Sequence, residues 1–272
     1  MATDQAPELD SVLVFEILAE AGRVWLFLDY DGTLADFAPT PDHILPDQEL
    51  IDLLTRLSQS EKIRISVVSG RRLSHIQALL PVPRLMLAGT YGIELQTPDG
   101  KQINLLDLDE LRPALDSLKQ AWQALLNRRE GFYLEDKGWA LAIHARYAEP
   151  ETAERVLNSA AALAAGRPDL ERFRLVGGHK FLEITPKATG KGRTVEYLLD
   201  HYPIPGAALI FIGDDDKDEQ AFEVIRKNGG IAIVVSPHPR QTHANYRLPS
   251  PQAVRAFLEQ LAKWAEKGGS MI

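Results

Sequence analysis

The sequence comprises 272 residues, of which 45% are hydrophobic and 25% are charged, and its formal net charge is -8. A chain of this length and composition can bury a full core as one large domain or two smaller ones. The negative charge argues against a general nucleic-acid binder, which needs a basic face. The absence of cysteine excludes disulfides, thiolate catalysis and cysteine-ligated zinc.

No apolar run approaches the roughly 20 residues that a membrane helix needs. The polar, acidic N-terminus lacks the basic-then-apolar order of a secretory signal. We therefore expect a cytoplasmic protein without a membrane or nucleic-acid partner. The sequence does not indicate an oligomeric state, and a monomer is consistent with it.

The N-terminal part of the chain alternates helical and apolar strand patterns. The predicted elements are a helix over residues 8–21, a strand over 24–28, a helix over 47–59, a strand over 63–68, a helix over 73–80 and a strand over 85–88. Such an alternation is typical of a parallel sheet with helices on its faces.

The middle of the chain has a different order, in which one helix precedes two strands, twice over. The predicted elements are a helix over 111–129, strands over 132–135 and 140–146, a helix over 151–165, and strands over 173–176 and 180–185. Turn residues predict one hairpin across Asp136-Lys137-Gly138 and a second across Gly177-Gly178. This order predicts an antiparallel sheet with its helices on one face.

The parallel pattern then resumes. The predicted elements are a helix over 192–201, a strand over 208–212, a helix over 219–228, a strand over 231–235 and a helix over 251–267. The fold class is therefore α/β, with a core formed by residues 1–105 and 187–272 and an inserted α+β domain over 106–186. An inserted domain between two halves of one sheet is a natural lid, since small-ligand clefts form at domain junctions.

Two acids follow the first predicted strand at its carboxyl end, where open α/β sheets place their ligands. Asp29 and Asp31 are separated by one residue, so extended backbone would direct both side chains to the same side. Two like charges this close are costly unless a cation joins them or one holds a proton. A turn with Gly32 at its bend would explain the pattern structurally. A carboxylate nucleophile beside a carboxyl acid/base and a divalent metal would explain it chemically.

Polar residues also follow two other strands and open a helix. Ser69 follows the second strand, and its hydroxyl could bind a phosphate oxygen or cap a helix. Lys191 opens a helix and could hold a phosphate charge or lie at the surface. Asp214-Asp215-Asp216 follows the strand over 208–212, either as a solvated loop or as oxygen ligands for a hard cation. Mg²⁺ is the ion that fits best when a phosphate is a further ligand.

Taken together, these residues resemble the haloacid dehalogenase (HAD) superfamily of phosphotransferases. The order Asp-x-Asp, Ser, Lys, Gly-Asp-Asp is the order in which that superfamily presents its motifs. The resemblance implies Asp29 as nucleophile and Asp31 as general acid/base, with Ser69 and Lys191 holding the phosphoryl group. It also implies Mg²⁺ bound by Asp29, the Asp31 carbonyl and Asp214. Asp215 and Asp218 would support the metal from behind its ligands.

Within this superfamily the chain is similar to trehalose-6-phosphate phosphatases. The similarity lies in YLEDKGWALAIHAR (residues 133–146), GHKFLEITP (178–186) and GDDDKDEQAF (213–222). It implies a HAD-like Rossmannoid core, a C2-type cap domain and the hydrolysis of trehalose 6-phosphate to trehalose and phosphate through an aspartyl-phosphate. The implied sugar-binding residues are Glu94, Glu135, Lys137, Lys180 and Glu183, together with Arg71 beside Ser69.

Three positions depart from that family's usual pattern. Tyr91 stands where His is usual, Lys217 where Thr is usual and Thr185 where Arg is usual. The chemistry would be unaffected, but the substrate could differ. A phosphatase for glucosylglycerol phosphate, mannosyl-3-phosphoglycerate or sucrose 6-phosphate would share this machinery, and so would a hexose phosphomutase. A non-catalytic sugar-phosphate-binding module is disfavoured because Asp29 and Asp31 are both present.

Overall fold

The computed structural model describes residues 5–36, 45–178 and 180–268. Position 179, which falls within the second hairpin motif quoted above, lies outside the described residues. The chain forms two compact units, of which the first contains residues 1–103 and 190–272 and the second contains residues 104–189. The domain boundaries predicted from the sequence lie at 105/106 and 186/187.

The helices and strands alternate in most of the chain. The helices are α1 (Ser11–Ala21), α2 (Gln48–Gln59), α3 (Leu73–Leu79), α4 (Leu108–Leu126), α5 (Pro150–Ala164), α6 (Lys191–His201), α7 (Glu219–Lys227) and α8 (Pro251–Glu266). The strands are β1 (Val24–Leu28), β2 (Ile63–Val68), β3 (Met86–Gly89), β4 (Glu94–Gln96), β5 (Gln102–Asn104), β6 (Tyr133–Asp136), β7 (Leu141–His144), β8 (Phe173–Gly178), β9 (Phe181–Pro186), β10 (Ala208–Gly213), β11 (Ile231–Val235) and β12 (Tyr246–Leu248).

The first unit is built on an eight-stranded sheet with the order β12-β11-β10-β1-β2-β3-β4-β5. The pairings from β12 to β3 are parallel, and β4 runs antiparallel to β3. β1 therefore lies between β2 and β10. Because parallel strands end at the same edge of a sheet, the residues that follow these three strands are brought together.

The central strands β1, β10 and β11 are apolar throughout because both faces of the sheet are covered. All five residues of β1 are buried. Val24, Leu26 and Leu28 face a core that includes side chains of α1, α2 and α8. On the alternate positions, Trp25 and Phe27 stack with their ring centroids 4.7 Å apart.

Side-chain caps fix where several helices begin. Asp10 accepts a hydrogen bond from the N–H of Leu13 at the start of α1, and Asp47 accepts two at the start of α2. Ser250 caps α8, which opens on proline. These residues satisfy N–H groups that have no partner within their helix.

The second unit contains an antiparallel sheet with the order β6-β7-β9-β8 and the two helices α4 and α5. The fully buried Trp122 of α4 donates its indole N–H to the carbonyl of Ala160 in α5, at 3.0 Å. The helix-strand-strand order thus occurs twice. The predicted α/β class, with a mainly parallel sheet and a separate small antiparallel sheet, is confirmed.

The second predicted hairpin turn is wrong in position. Gly177 pairs with Leu182 and Gly178 pairs with Phe181, so both glycines belong to β8. The chain therefore reverses direction between Gly178 and Phe181, and Lys180 has φ +53°. Glycine is the usual marker of such a turn, but here the left-handed conformation is adopted by a lysine.

Three short strands are absent from the sequence prediction, namely β4, β5 and β12. Each has three residues, which is too short for a pattern of alternation. None of the helices that the structure describes combines the length and the apolar character that a membrane span requires.

Candidate active site

Asp29 directly continues β1. Its N–H donates to the carbonyl of Ile212 in β10 at 2.9 Å, and the residue is only 4% exposed. The chain then turns sharply, because the carbonyl of Tyr30 accepts hydrogen bonds from the N–H groups of Thr33, Leu34 and Ala35. The carboxylates of Asp29 and Asp31 consequently have different partners.

Lys191 is the buried cation of the site. Its ammonium lies 2.7 Å from Oδ1 of Asp29 and 2.6 Å from Oδ1 of Asp218, and the side chain is 4% exposed. The lysine is the first residue of α6. Gly190, before it, has φ +145°, a conformation that other residues rarely adopt.

The loop after β10 presents Asp214 and Asp218 to the same cluster. Oδ2 of Asp218 accepts hydrogen bonds from the N–H groups of Asp214 and Asp215, at 3.1 and 3.0 Å. Asp218 is fully buried. Its two oxygens thus have different roles, since one shapes the loop and the other holds Lys191.

The other two acids of this run point elsewhere. The Asp215 side chain accepts a hydrogen bond from the N–H of Lys217, and the exposed Asp216 pairs with Arg240 at 3.0 Å. Of the three consecutive acids, Asp214 is therefore the one that belongs to the buried cluster. The separate partners of these side chains relieve the repulsion between three consecutive acids.

Burial dominates the electrostatics of this cluster. It raises the pKa of Asp29 to about 7, an effect that Lys191 opposes and Asp214 reinforces. Burial likewise raises the pKa of Asp218 to about 7 and that of Asp214 to about 6. For Lys191, burial acts to lower the pKa, but the charges of Asp218 and Asp29 outweigh it and hold the pKa above its ordinary value.

These three aspartates form a group that could hold a metal ion. Asp29, Asp214 and Asp218 each offer an oxygen, and these oxygens lie within 4.8 Å of one another. The charge of Asp214 also reinforces the rise in the pKa of Asp29, because two carboxylates this close repel each other. A hard divalent cation fits such a donor set, because it would neutralise charges that Lys191 balances only in part.

Ser69 and Arg71 lie on the turn after β2. Ser69 is buried, and its Oγ accepts a hydrogen bond from the N–H of Arg71 at 3.1 Å. It does not cap α3, whose N-cap residue is Arg72. The guanidinium of Arg71 binds both oxygens of Asp31, from Nε and from Nη2, at 2.7 Å each. The structure thus brings Asp31 together with Arg71 and separates its side chain from the buried cluster of carboxylates.

Glu94 stabilises the turn formed by Thr90, Tyr91 and Gly92. Its Oε2 accepts hydrogen bonds from Oγ1 of Thr90 at 2.7 Å and from the N–H of Leu73 at 3.1 Å. Thr90, Tyr91 and Gly92 have φ values of +48°, +54° and +90°. The turn therefore includes two residues other than glycine in the left-handed region.

Sequence reasoning assigned no role to Thr33, Tyr91 or Lys217. Oγ1 of Thr33 donates to Oδ1 of Asp214 at 3.3 Å, so it links the loop after β1 to the loop after β10. Lys217 Nζ donates to the hydroxyl of Tyr91 at 2.9 Å. The position of Thr33, two residues after Asp31, is a signal that could have identified it. The contact between Lys217 and Tyr91 has no comparable signal, because the two residues are distant in the sequence.

In the second unit, Glu135, Lys137 and Glu183 form a polar cluster. Glu135 and Glu183 both pair with Ala142, one on each side, so they lie in one row across β6, β7 and β9. The Lys137 ammonium lies 2.6 Å from Oε2 of Glu183 and 4.0 Å from Oε2 of Glu135. His144 Nε2 lies 2.9 Å from the same oxygen of Glu135. At 15% side-chain exposure, Lys137 is not the solvated surface lysine that its place near a turn would suggest.

Lys180 does not join this cluster. Its ammonium donates to the carbonyl of Ala148 at 2.6 Å, and its own carbonyl accepts a hydrogen bond from Ala145. Since Lys180 lies in the turn and not in β9, the alternation that relates strand residues to one another does not apply to it.

The chain matches a family model described as trehalose-phosphatase over residues 27–252. A probable trehalose-phosphate phosphatase from Sinorhizobium fredii is 32% identical, and the match covers 87% of each chain. A trehalose-phosphate phosphatase from Mycobacterium avium is 31% identical over 97% of this chain and 68% of the relative.

Solved structures show the same fold. The C-terminal domain of trehalose-6-phosphate phosphatase from C. albicans superposes with a TM-score of 0.81, at 23% identity, and the match covers 95% of this chain and 98% of that one. A trehalose-6-phosphate phosphatase from Aspergillus fumigatus superposes with a TM-score of 0.72, at 23% identity, over 95% and 99% of the two chains. At this identity the likeness concerns the fold alone.

Proposed function

Because this chain belongs to the trehalose-phosphatase family, we propose that it hydrolyses trehalose 6-phosphate to trehalose and inorganic phosphate, with Mg²⁺ at the carboxylate cluster. The observation that supports this most directly is the buried group of Asp29, Asp214, Asp218 and Lys191 at the carboxyl ends of β1 and β10. A site that hydrolyses a phosphate monoester must lower the barrier by on the order of 20 kcal/mol, which requires charged groups fixed in place before the reaction.

We propose that Asp29 is the nucleophile. Its buried position after β1 fixes the carboxylate, and the Lys191 ammonium at 2.7 Å holds it in one orientation. An oxygen of Asp29 attacks phosphorus, and the bond from phosphorus to the sugar oxygen breaks. This step forms an aspartyl-phosphate and expels the sugar alkoxide.

Asp31 acts as acid and then as base in this proposal. In its protonated form it gives its proton to the departing sugar oxygen. As a carboxylate it then takes a proton from the water that attacks the aspartyl-phosphate. The bond from phosphorus to Asp29 breaks in that second step, so phosphate leaves and both carboxyl groups return to their starting states. Arg71 binds both oxygens of Asp31 in the structure, and each of these oxygens keeps a second lone pair at which the proton can be held.

Charge on the phosphoryl group is the principal obstacle, because a carboxylate attacks a dianion. Lys191 lies beside the attacking oxygen and offsets part of this repulsion. Asp29 and Asp214 are the carboxylates that would hold Mg²⁺, with the Asp31 carbonyl, and the ion would neutralise charge on the phosphoryl oxygens. Asp218 keeps Lys191 and the loop after β10 in place, and Asp215 caps that loop.

We further propose that the polar cluster of the second unit binds sugar hydroxyls. Glu135, Lys137 and Glu183 combine two acceptors and a donor within a few ångströms. Such a spread of donors and acceptors suits a sugar. Lys180 and Glu94 are included in this proposal on the resemblance; their polar atoms contact the Ala148 carbonyl and the Thr90 hydroxyl.

The test is phosphate release with Mg²⁺ from a panel of substrates. The panel contains trehalose 6-phosphate, sucrose 6-phosphate, mannosyl-3-phosphoglycerate, glucosylglycerol phosphate and glucose 6-phosphate. We expect release from trehalose 6-phosphate, its loss in Asp29→Asn, and its retention in Asp200→Asn, a matched change at an exposed position of α6. Release from another member alone would show that this compound, and not trehalose 6-phosphate, is the substrate. No release from any member, with a bisphosphorylated activator added to detect mutase turnover, would refute the assignment as an enzyme of this kind.

A further inference from the structure

The left-handed turn Thr90-Tyr91-Gly92 adopts a conformation that its sequence disfavours. Positive φ is uncommon for residues with a side chain, and it is a genuine outlier for a β-branched residue such as Thr90, at φ +48°. Such a conformation persists only where surrounding contacts impose it. The contacts of Tyr91, at φ +54°, show what imposes it here.

The backbone of Tyr91 joins two segments that carry site residues. Its N–H donates to the carbonyl of Ser69 at 3.0 Å. Its carbonyl accepts hydrogen bonds from the N–H of Gly190 and from Oγ1 of Thr194, each at 3.1 Å. Gly190 is the residue immediately before Lys191. The backbone N–H and carbonyl of Tyr91 are therefore hydrogen-bonded to the turn after β2 and to the start of α6, respectively.

The side chain of Tyr91 adds a third segment. Its ring lies over Gly70, so closely that a Cβ on Gly70 would be 2.6 Å from the phenolic oxygen. Its hydroxyl accepts a hydrogen bond from Lys217 Nζ at 2.9 Å, and that ammonium lies 5.4 Å from the ring centroid. Lys217 belongs to the same short loop as Asp214 and Asp218.

We propose that Tyr91 is a positioning residue and that Lys217 is its anchor on the metal-binding loop. Through this pair, the loop that presents Asp214 is held in register with the turn that presents Ser69 and with the helix that begins at Lys191. The inference rests on the proposed function, since it concerns how the phosphatase site is kept in its reactive geometry. Neither residue touches the reacting atoms in this account.

A positioning role for Tyr91 and Lys217 predicts a specific change in the kinetic constants. Groups that act in the transition state lose effect when they are misplaced, whereas ground-state binding of the substrate is less sensitive. Loss of the Lys217–Tyr91 bond should therefore lower kcat and leave the KM for trehalose 6-phosphate within about twofold. One hydrogen bond of ordinary net strength corresponds to a decrease of about 3- to 10-fold.

Four variants test this. Tyr91→Phe removes the hydroxyl and keeps the ring and the backbone, and Lys217→Met removes the donor. We expect each to lower kcat by about 3- to 10-fold, and the double variant to lower it no further, because the two changes remove the same interaction. Lys217→Arg keeps a donor and should retain most of the activity.

Matched controls are available on exposed positions. Tyr147 is 83% exposed, and the side chain of Lys227 is 73% exposed. Tyr147→Phe and Lys227→Met make the same chemical changes outside the site, and both should leave kcat unchanged. The thermal unfolding temperature of every variant shows whether a loss of activity merely follows a loss of stability.

A second readout does not depend on turnover. Mg²⁺ bound to the folded chain raises its unfolding temperature, and at a fixed concentration the rise is larger when the ion binds more tightly. A displaced Asp214 should weaken that binding. We expect a smaller Mg²⁺-induced rise in Tyr91→Phe and Lys217→Met than in the unmodified chain. This measurement still tests the pair if the unmodified chain releases no phosphate, an outcome that would refute only the proposed function.

Two outcomes would overturn the inference. Unchanged kcat and an unchanged Mg²⁺ response in both single variants would mean that the pair positions nothing. A salt-sensitive increase in KM at constant kcat in Lys217→Met, without a like effect in Tyr91→Phe, would show that Lys217 binds the substrate phosphate directly.

Discussion

Gly213 is a residue at which the site has no room for a side chain. It ends β10 and precedes Asp214, and a Cβ placed on it would overlap the carboxylate carbon of Asp218. Asp218 cannot move freely, because it holds Lys191 through one oxygen and the N–H groups of Asp214 and Asp215 through the other. The requirement for glycine here comes from close packing and not from backbone conformation.

We expect Gly213→Ala to lower phosphate release by about 10-fold or more, because it displaces Asp218 and with it Lys191. It should also destabilise the protein by about 1–3 kcal/mol, the usual cost of overpacking. Steady-state kinetics and urea unfolding measure the two effects. Gly177→Ala is the control, since a Cβ there meets nothing within 4 Å. Equal activity in both variants would contradict this account of Gly213.

Asp136 illustrates a charged residue whose role is structural. Its carboxylate accepts hydrogen bonds from both terminal nitrogens of Arg112, at 2.7 and 2.6 Å, and from Lys119 at 2.8 Å. The hydrogen bonds from Arg112 are the largest cause that holds its pKa well below the usual range, against the opposing effect of burial. Because the folded-state pKa is depressed, this carboxylate stabilises the folded state above its unfolded pKa of about 3.9.

We expect Asp136→Asn to destabilise the second unit by on the order of 2 kcal/mol at pH 7. The difference from the unmodified chain should shrink as the pH falls below about 4, where the unfolded chain takes up the proton. Amide hydrogen exchange in β6 and β7 at pH 7 and pH 3.5 measures this difference in stability between the variant and the unmodified chain. Asp116→Asn, which removes a more exposed partner of the same arginine, should have the smaller effect at pH 7. A constant difference across this pH range would be inconsistent with the assignment.

Among individual residues, the site residues that could be predicted from the sequence are those that follow a buried strand. Asp29, Ser69 and Asp214 are identifiable because a short apolar run ends at a polar residue, and the sheet then brings such residues to one edge. The partner of each side chain could not be predicted. Lys217 and Tyr91 are 126 positions apart, and nothing local in either segment indicates that they touch.

β1 and β2 are joined by a side-chain contact in addition to their backbone ladder. The indole N–H of Trp25 donates to Oγ of Ser66 at 2.8 Å in a buried setting. Trp264 of α8 is equally buried, but its indole N–H has no hydrogen-bond partner among the residues that the structure describes. The two tryptophans lie in the same unit, and of the two only Trp25 has a paired indole N–H.

We expect Trp25→Phe to lower the free energy of unfolding by about 1 kcal/mol more than Trp264→Phe does. Both changes remove the same volume from the core. Only the first breaks a hydrogen bond, and only the second removes a buried N–H that is unsatisfied within the described chain. Urea unfolding followed by circular dichroism compares them. Equal losses would show that the bond to Ser66 contributes nothing to stability.

Elements with a long pattern were predictable, and short ones were not. β2 and β11 have the predicted bounds, because β11 is a run of five buried apolar residues and β2 carries four apolar residues around Arg64 and Ser66. β12 pairs through three residues, of which Arg247 is charged, so its sequence shows no strand pattern. The turn at Lys180 was missed for the opposite reason, since two neighbouring glycines gave a stronger turn signal than the actual turn.

On the scale of the whole molecule, the carboxylate cluster opposes folding when no metal is bound. Burial raises the pKa of Asp29 and Asp218 to about 7 and that of Asp214 to about 6. A carboxyl group with a raised folded-state pKa stabilises the folded state fully only below its unfolded pKa. That contribution is lost as the pH rises through the folded-state value.

We therefore expect the metal-free protein to unfold at a lower temperature at pH 8 than at pH 5.5. Mg²⁺ should stabilise it more at pH 8, because the ion competes with protons for the same oxygens. Mg²⁺ at 100 times its dissociation constant should add about 2.7 kcal/mol to the free energy of unfolding. Thermal unfolding in EDTA and in MgCl₂ at the two pH values measures both effects. An Mg²⁺ response that is larger at pH 5.5 would contradict the proposed metal site.

The position of β1 between β2 and β10 also has a consequence for synthesis on the ribosome. Val24 pairs with Ile63 on one side but with Ala208 on the other. At about 5–20 residues per second, one edge of this fully apolar strand remains unpaired for roughly 10–40 seconds while the nascent chain grows. The segment 104–189 is continuous and emerges complete during that interval. We expect the exposed edge of β1 to be the main site of chaperone binding and of aggregation when translation is slowed or the chain is truncated before β10.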